Sequence, residues 1–191
     1  METKPSRNEL LKLLARESYV ERDVTLSSGQ AASFYIDCRR TLYIPEGAFL
    51  VGELMLDLIT PAQIEQIGGL AAAALPVTDA IIGAAYRRKI ELRGFFVRKE
   101  TKQHGLQQRI EGAFRPGKTA AVVDDTITTG GSSLEAVGAL RAAGAVVKAA
   151  FAVVARGAGA TEAFARAGLS YGYLFTSDEV VAAAESLRRT I

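Results

Sequence analysis

One segment, Val122-Val-Asp-Asp-Thr-Ile-Thr-Thr-Gly-Gly-Ser-Ser133, constrains this chain more than any other. A continuous apolar run from Thr119 to Val123 leads into it and reads as a strand buried on both faces. A helix is expected to leave it over Ser132 to Ala143, closed by Gly144. The segment therefore sits where a strand turns into a helix, the edge at which open α/β sheets bind ligands. Its Thr/Gly run offers successive backbone N–H groups and hydroxyls at a helix N-terminus, a geometry that suits a phosphate dianion. Gly130 and Gly131 permit close backbone approach and positive φ. Asp124 and Asp125 can accept hydrogen bonds from ribose hydroxyls and stabilise positive charge developing nearby. Together these residues describe a ribose 5-phosphate site. No G-x-x-x-x-G-K-[ST] occurs, and Gly157-Ala-Gly159 is only a fragment of a dinucleotide fingerprint.

The rest of the chain fits the same frame. Ser6 with Glu9 reads as a capping box opening a first helix that carries Leu10, Leu11, Leu13 and Leu14. Val24–Leu26 and Ser33–Asp37 are strand-like, with turn chemistry in Ser27-Ser-Gly-Gln30. A helix is expected from about Pro45 to just before Pro61. Apolar strands at 64–68, 94–97, 119–123, 146–154 and 171–175 then alternate with helices, one of them from Pro76 to about Arg88. Residues 99–117 read as a long polar loop. The pattern predicts an α/β fold with a mostly parallel sheet flanked by helices. A single domain over 1–191 is expected, with about 1–43 contributing a small N-terminal hood.

Composition narrows the function. The net charge of +2 in 191 residues argues against nucleic-acid binding, so any anion site must come from local placement. No apolar run is long enough to cross a membrane, and the polar N-terminus lacks the core of a secretory signal. The single Cys38 makes no internal disulfide, and a cytoplasmic location is the simplest expectation. Cys38 itself reads as an inert small residue, and Arg87-Arg88-Lys89 as a structural cluster at a helix end.

The Val122–Ser133 segment resembles the phosphoribosyl pyrophosphate signature of type I phosphoribosyltransferases, and within them the orotate phosphoribosyltransferases. Four further stretches are similar to that family, in its order: Thr25–Gly29 with Phe34–Asp37, Gly68–Pro76, Arg98–Gly105 and Val153–Arg156. The resemblance implies transfer of ribose 5-phosphate from phosphoribosyl pyrophosphate to orotate, giving orotidine 5′-phosphate and pyrophosphate, with Mg²⁺ carried by the substrate. It implies a homodimer whose mobile loop is shared across subunits. The phosphate would lie on Thr126, Ile127, Thr128, Thr129, Gly130, Gly131 and Ser132, and the ribose on Asp124 and Asp125. Pyrophosphate would be gathered by Arg98, Lys99, Lys102 and His104, and orotate by Phe34, Tyr35, Thr128 and Arg156. Lys102, His104, Asp124 and Asp125 would be catalytic. Taken alone, His104 is more often a surface histidine than a catalyst, and Phe34 and Tyr35 are equally core residues. The chain departs from many bacterial relatives in having Ser27 and Ala73 where they carry lysine. Two other readings stay open at this point: transfer to a purine base, and a regulatory protein that senses phosphoribosyl pyrophosphate without turnover.

Overall fold

A computed structural model describes residues 6–25, 31–99 and 109–189. Its centre is a six-stranded sheet in the order β5-β4-β3-β6-β7-β8, comprising β3 (Gln66–Leu70), β4 (Arg93–Val97), β5 (Ile110–Gly112), β6 (Thr119–Ile127), β7 (Val146–Ala155) and β8 (Ser170–Thr176). Every pairing is parallel except β4 with β5. The short edge strand β5 falls inside the stretch expected to be loop. Its three residues are too few to show a period, and pairing with β4 decides their conformation.

Two apolar cores lie on the two sides of the sheet. One joins Ala121, Val123 and Ile67 to α1 (Arg7–Leu13), α2 (Cys38–Leu42), α3 (Pro45–Ile59), α4 (Ala74–Arg87) and α7 (Ser177–Arg189). The other joins Ala120, Val122, Ala150 and Ala152 to α5 (Gly131–Ala142) and α6 (Gly159–Arg166). The chain runs outward from β3 to β4 through α4 on one face, then outward from β6 to β7 through α5 on the other. Strand order therefore reverses between the neighbours β3 and β6, and the helices that follow them part to opposite faces. That opens a crevice beyond the carboxyl ends of these two strands.

The N-terminal strands β1 (Tyr19–Thr25) and β2 (Ala31–Ile36) form a separate antiparallel hairpin. Its turn, including Ser27, lies outside the described residues. Ser6 is the N-cap of α1 in extended conformation, but its side chain makes no capping hydrogen bond, so the expected capping box does not form. The helix instead runs on into a π-helical turn, Leu14–Ser18, which buries Leu14 and Ala15. Arg87 and Arg88 have a more specific role than meeting a helix dipole. They pair with Glu53 and Asp57 of α3, Arg87 Nη2 lying 2.8 Å from the nearly buried Glu53 carboxylate.

Candidate active site

β6 is longer than its apolar run suggests and carries Asp124 and Asp125 within the strand. Alternation sends Asp124 to the side of Ala120 and Val122, facing α5 and α6, and Asp125 to the side of Ala121 and Val123, facing α2. The Asp125 N–H donates to Asp124 Oδ1 at 3.0 Å, and the Thr126 N–H to Asp125 Oδ1 at 2.6 Å. Both carboxyls titrate above the usual carboxylate range. Burial is the main cause for each, and mutual repulsion adds to it for Asp124. With Asp124 buried and Asp125 partly so, the site favours a ligand able to donate hydrogen bonds or bring positive charge.

Beyond Ile127 the chain folds into the head of α5. Gly130 is the N-cap residue with φ +81°, and a β-carbon there would lie 3.0 Å from Phe164 Cζ of α6. Only glycine satisfies both constraints. Gly131 differs: a β-carbon there would approach only Thr129 Oγ1, at 3.8 Å. Residues Asp124 and 126–133 line a cavity of about 80 Å³. All seven residues from Thr126 to Ser132 assigned from sequence to the phosphate, together with Asp124, therefore surround one small polar hollow at a helix N-terminus.

The Arg156 N–H donates to Ile127 O at 2.8 Å, which ties the end of β7 to the start of this loop. The Arg156 guanidinium lies 5.0 Å from the Phe34 ring centroid, and its Nη2 donates to Phe34 O at 3.3 Å. Partial burial holds the Arg156 pKa below its ordinary value. Tyr35 is partly exposed, and its hydroxyl titrates high through burial and the nearby Asp37 and Asp125 carboxylates. The hairpin and the acid pair thus share one neighbourhood. Phe34, Tyr35 and Arg156 belong together, while Thr128 joins the phosphate hollow.

Arg98 and Lys99, at the end of β4, line a cavity of about 350 Å³ with Ala71 and Phe96. Val97 pairs with Leu70, and Gly68, two positions earlier on β3, pairs with Val122, two before Asp124. The basic strand end and the acid pair therefore lie at one level of the sheet. Arg98 is not wholly available to a ligand, because its Nη1 lies 3.0 Å from the Glu111 carboxylate on β5. The Gly68–Pro76 stretch is mostly regular structure, with β3 reaching Leu70 and α4 starting at Ala74; only 71–73 are loop. Lys102 and His104 lie outside the described residues.

Sequence reading passed over the start of α2. Asp37 caps this helix and holds Arg39 in a forked ion pair, with Nε–Oδ1 at 2.7 Å and Nη2–Oδ2 at 3.1 Å. Arg39 in turn faces Asp125 and favours its ionised form. An Asp following a strand and preceding Cys-Arg-Arg is a recognisable N-cap signal. Nothing in the local sequence, however, places that helix against β6.

No family model matches the chain. Whole-chain relatives do. An orotate phosphoribosyltransferase of Rhodopirellula baltica is 41% identical over 87% of this chain and 90% of its own length. The chain belongs to the orotate phosphoribosyltransferase family. A Streptomyces coelicolor orotate phosphoribosyltransferase is 44% identical over 91% of this chain and 96% of its own. The crystal structure of the Mycobacterium tuberculosis orotate phosphoribosyltransferase in complex with 5-phospho-α-D-ribosyl 1-diphosphate superposes with TM-score 0.77. It is 37% identical and covers 91% of this chain and 98% of that one. Family membership agrees with the crevice at the β3/β6 reversal, the small-residue loop that lines the phosphate hollow, and the aromatic hairpin that meets Arg156.

Proposed function

We propose that this orotate phosphoribosyltransferase family member transfers ribose 5-phosphate from phosphoribosyl pyrophosphate to N1 of orotate, a step of pyrimidine nucleotide synthesis. The observation that carries the reading is the joining of three parts at one sheet edge: the phosphate hollow at the head of α5, the buried acid pair, and Arg156 over Phe34. The backbone N–H groups and hydroxyls of 126–132 take the 5-phosphate. Asp124 and Asp125 accept hydrogen bonds from the ribose hydroxyls. As the C1–O bond breaks, its electron pair leaves with pyrophosphate, and the positive charge at C1 faces the two acids. N1 of orotate supplies the pair for the new C1–N bond, and its proton leaves to solvent. Arg156 meets the orotate carboxylate or a ring carbonyl as a planar fork, with Phe34 and Tyr35 beside the ring and Thr128 near its polar edge.

Lys99, Lys102 and His104 gather the departing pyrophosphate together with Arg98, whose tie to Glu111 limits how far it moves. Mg²⁺ fits as a substrate-borne ion. Among the described residues no cluster of three or more carboxylate, histidine or cysteine side chains forms a cage, and pyrophosphate with water can complete its shell. When bound it supplies charge neutralisation to the leaving group.

A homodimer with the 98–105 loop reaching the neighbouring subunit completes the reading. The surface that supports it runs over α3 and α4, where exposed Tyr43 and Phe49 line a groove of about 370 Å³ and Tyr86 is exposed as well. No helix among the described residues is long and apolar enough to cross a membrane. With one buried cysteine, this agrees with a cytoplasmic enzyme acting on small molecules. The test is loss of orotate absorbance on adding phosphoribosyl pyrophosphate and Mg²⁺, with Lys102→Ala alongside. Rapid loss with the wild type and a much slower one in the variant is expected. Binding of phosphoribosyl pyrophosphate without consumption of orotate overturns the assignment of the base.

A further inference from the structure

The Tyr171 hydroxyl is the one buried side-chain polar atom without a hydrogen-bond partner among the described residues. Leaving a buried hydroxyl unsatisfied is costly, so its surroundings need an account. The Tyr171 ring packs against Phe164, centroids 4.9 Å apart, and Phe164 is the side chain lying under Gly130. Tyr171 thus belongs to the floor of the phosphate loop. It also lies on the sheet face of Asp124. Tyr171 pairs with Ala150 on β7, and the next outward position, Tyr173, pairs with Ala152, which pairs with Asp124. Tyr171 packs against the same core as Ala150, Ala152 and Val122, and the β7 residues lying between the β8 tyrosine and the β6 acid are these two alanines. A buried hydroxyl and a buried carboxylate on one sheet face, with small residues on the strand between them, are groups of the kind that an ordered water joins.

We infer that Tyr171 is a positioning residue for Asp124, its hydroxyl donating through one bridging water to the carboxylate that receives the ribose hydroxyls. The inference rests on the assignment of Asp124 to the ribose given above. Burial and the negative groups around it push the Tyr171 hydroxyl above its ordinary pKa, so it stays a donor across the working pH range. On its own strand Asp124 accepts from the Asp125 N–H, while the Asp125 carboxylate opposes its ionisation. A donor from β8 would favour the ionised form of a carboxyl whose other surroundings oppose it.

The test compares wild type, Tyr171→Phe and Asp124→Asn by thermal melting and by the pH profile of kcat/KM. Tyr171→Phe should move the acidic limb upward by about 0.5–1 pH unit, the shift expected for one lost hydrogen bond to the charged form, without raising Tm. A crystal structure of the wild-type enzyme should show a water within hydrogen-bond distance of both Tyr171 Oη and Asp124. If Tyr171→Phe instead raises Tm and leaves the profile in place, the hydroxyl is merely unsatisfied and the inference falls. If the crystal shows no such water, it falls even where the variant folds poorly. Asp124→Asn separates the two levels of argument. Normal turnover in that variant overturns the acid-pair assignment and the inference with it. Lost turnover there, beside an unmoved Tyr171→Phe profile, overturns the inference alone.

Discussion

Cys38 Sγ and Thr126 Oγ1 lie 3.5 Å apart although 88 residues separate them in sequence. This contact seats the start of α2 on β6 immediately beyond the acid pair. The thiol is fully buried, and desolvation with the nearby Asp125 pushes its pKa far up. Thiolate is the reactive form, so iodoacetamide should label the native protein very slowly and the urea-unfolded protein rapidly. Fast native labelling measured by mass spectrometry would show that α2 lifts from β6.

Gly130 and Gly131 should separate structural from ligand effects. Gly130→Ala places a β-carbon at φ +81° and against Phe164, and should destabilise the fold by about 1–3 kcal/mol. Gly131→Ala has space and should melt near the wild-type temperature. Its methyl group enters the loop that we assign to phosphate, so it should weaken phosphoribosyl pyrophosphate binding measured by calorimetry. Equal losses of stability in the two variants would contradict this division.

The buried acids set a pH dependence of stability. Both are raised above the unfolded value of about 4, so the fold binds extra protons. Their contribution is complete below that value and is lost as pH rises through the raised folded values, so the substrate-free protein should lose stability toward neutral pH and above. Asp124→Asn is neutral at every pH. It should raise Tm by about 2–4 °C near pH 8, and by less near pH 4, while abolishing turnover. Scanning calorimetry at the two pH values checks the sign.

Arg156 should act on the base rather than on the phosphate. Arg156→Ala removes a fork held over Phe34 and should raise KM for orotate by about 10–100-fold, with KM for phosphoribosyl pyrophosphate changed much less. Arg156→Lys should recover little, because an ammonium cannot reproduce two parallel donors. Steady-state kinetics varying each substrate in turn provides the measurement.

Some of this was legible from residues alone because local chemistry decided it. Five apolar runs, punctuated by helices, announce a mostly parallel sheet, and the structure gives one with a single antiparallel edge. Pro45 and Pro61 bracket α3 to within a turn. Gly130, Gly131 and the hydroxyl run indicate a loop at a helix head because those residue types suit few other conformations. Boundaries were less legible. β6 runs past its apolar residues to Ile127 because pairing with β7, which continues to Ile127↔Ala155, holds the acid pair extended. β5 exists only because β4 offers it a partner.

The sequence by itself therefore determined the fold class, the phosphate-loop chemistry and the family resemblance, all properties of residue type and short spacing. Tertiary structure decided which distant residues share a surface. It put Cys38 on Thr126, Arg39 toward Asp125, Phe34 under Arg156, and Tyr171 on the Asp124 face of the sheet. Those contacts follow from strand order and sheet face. Both are set by burying two apolar cores at once, and no local run of residues encodes that requirement.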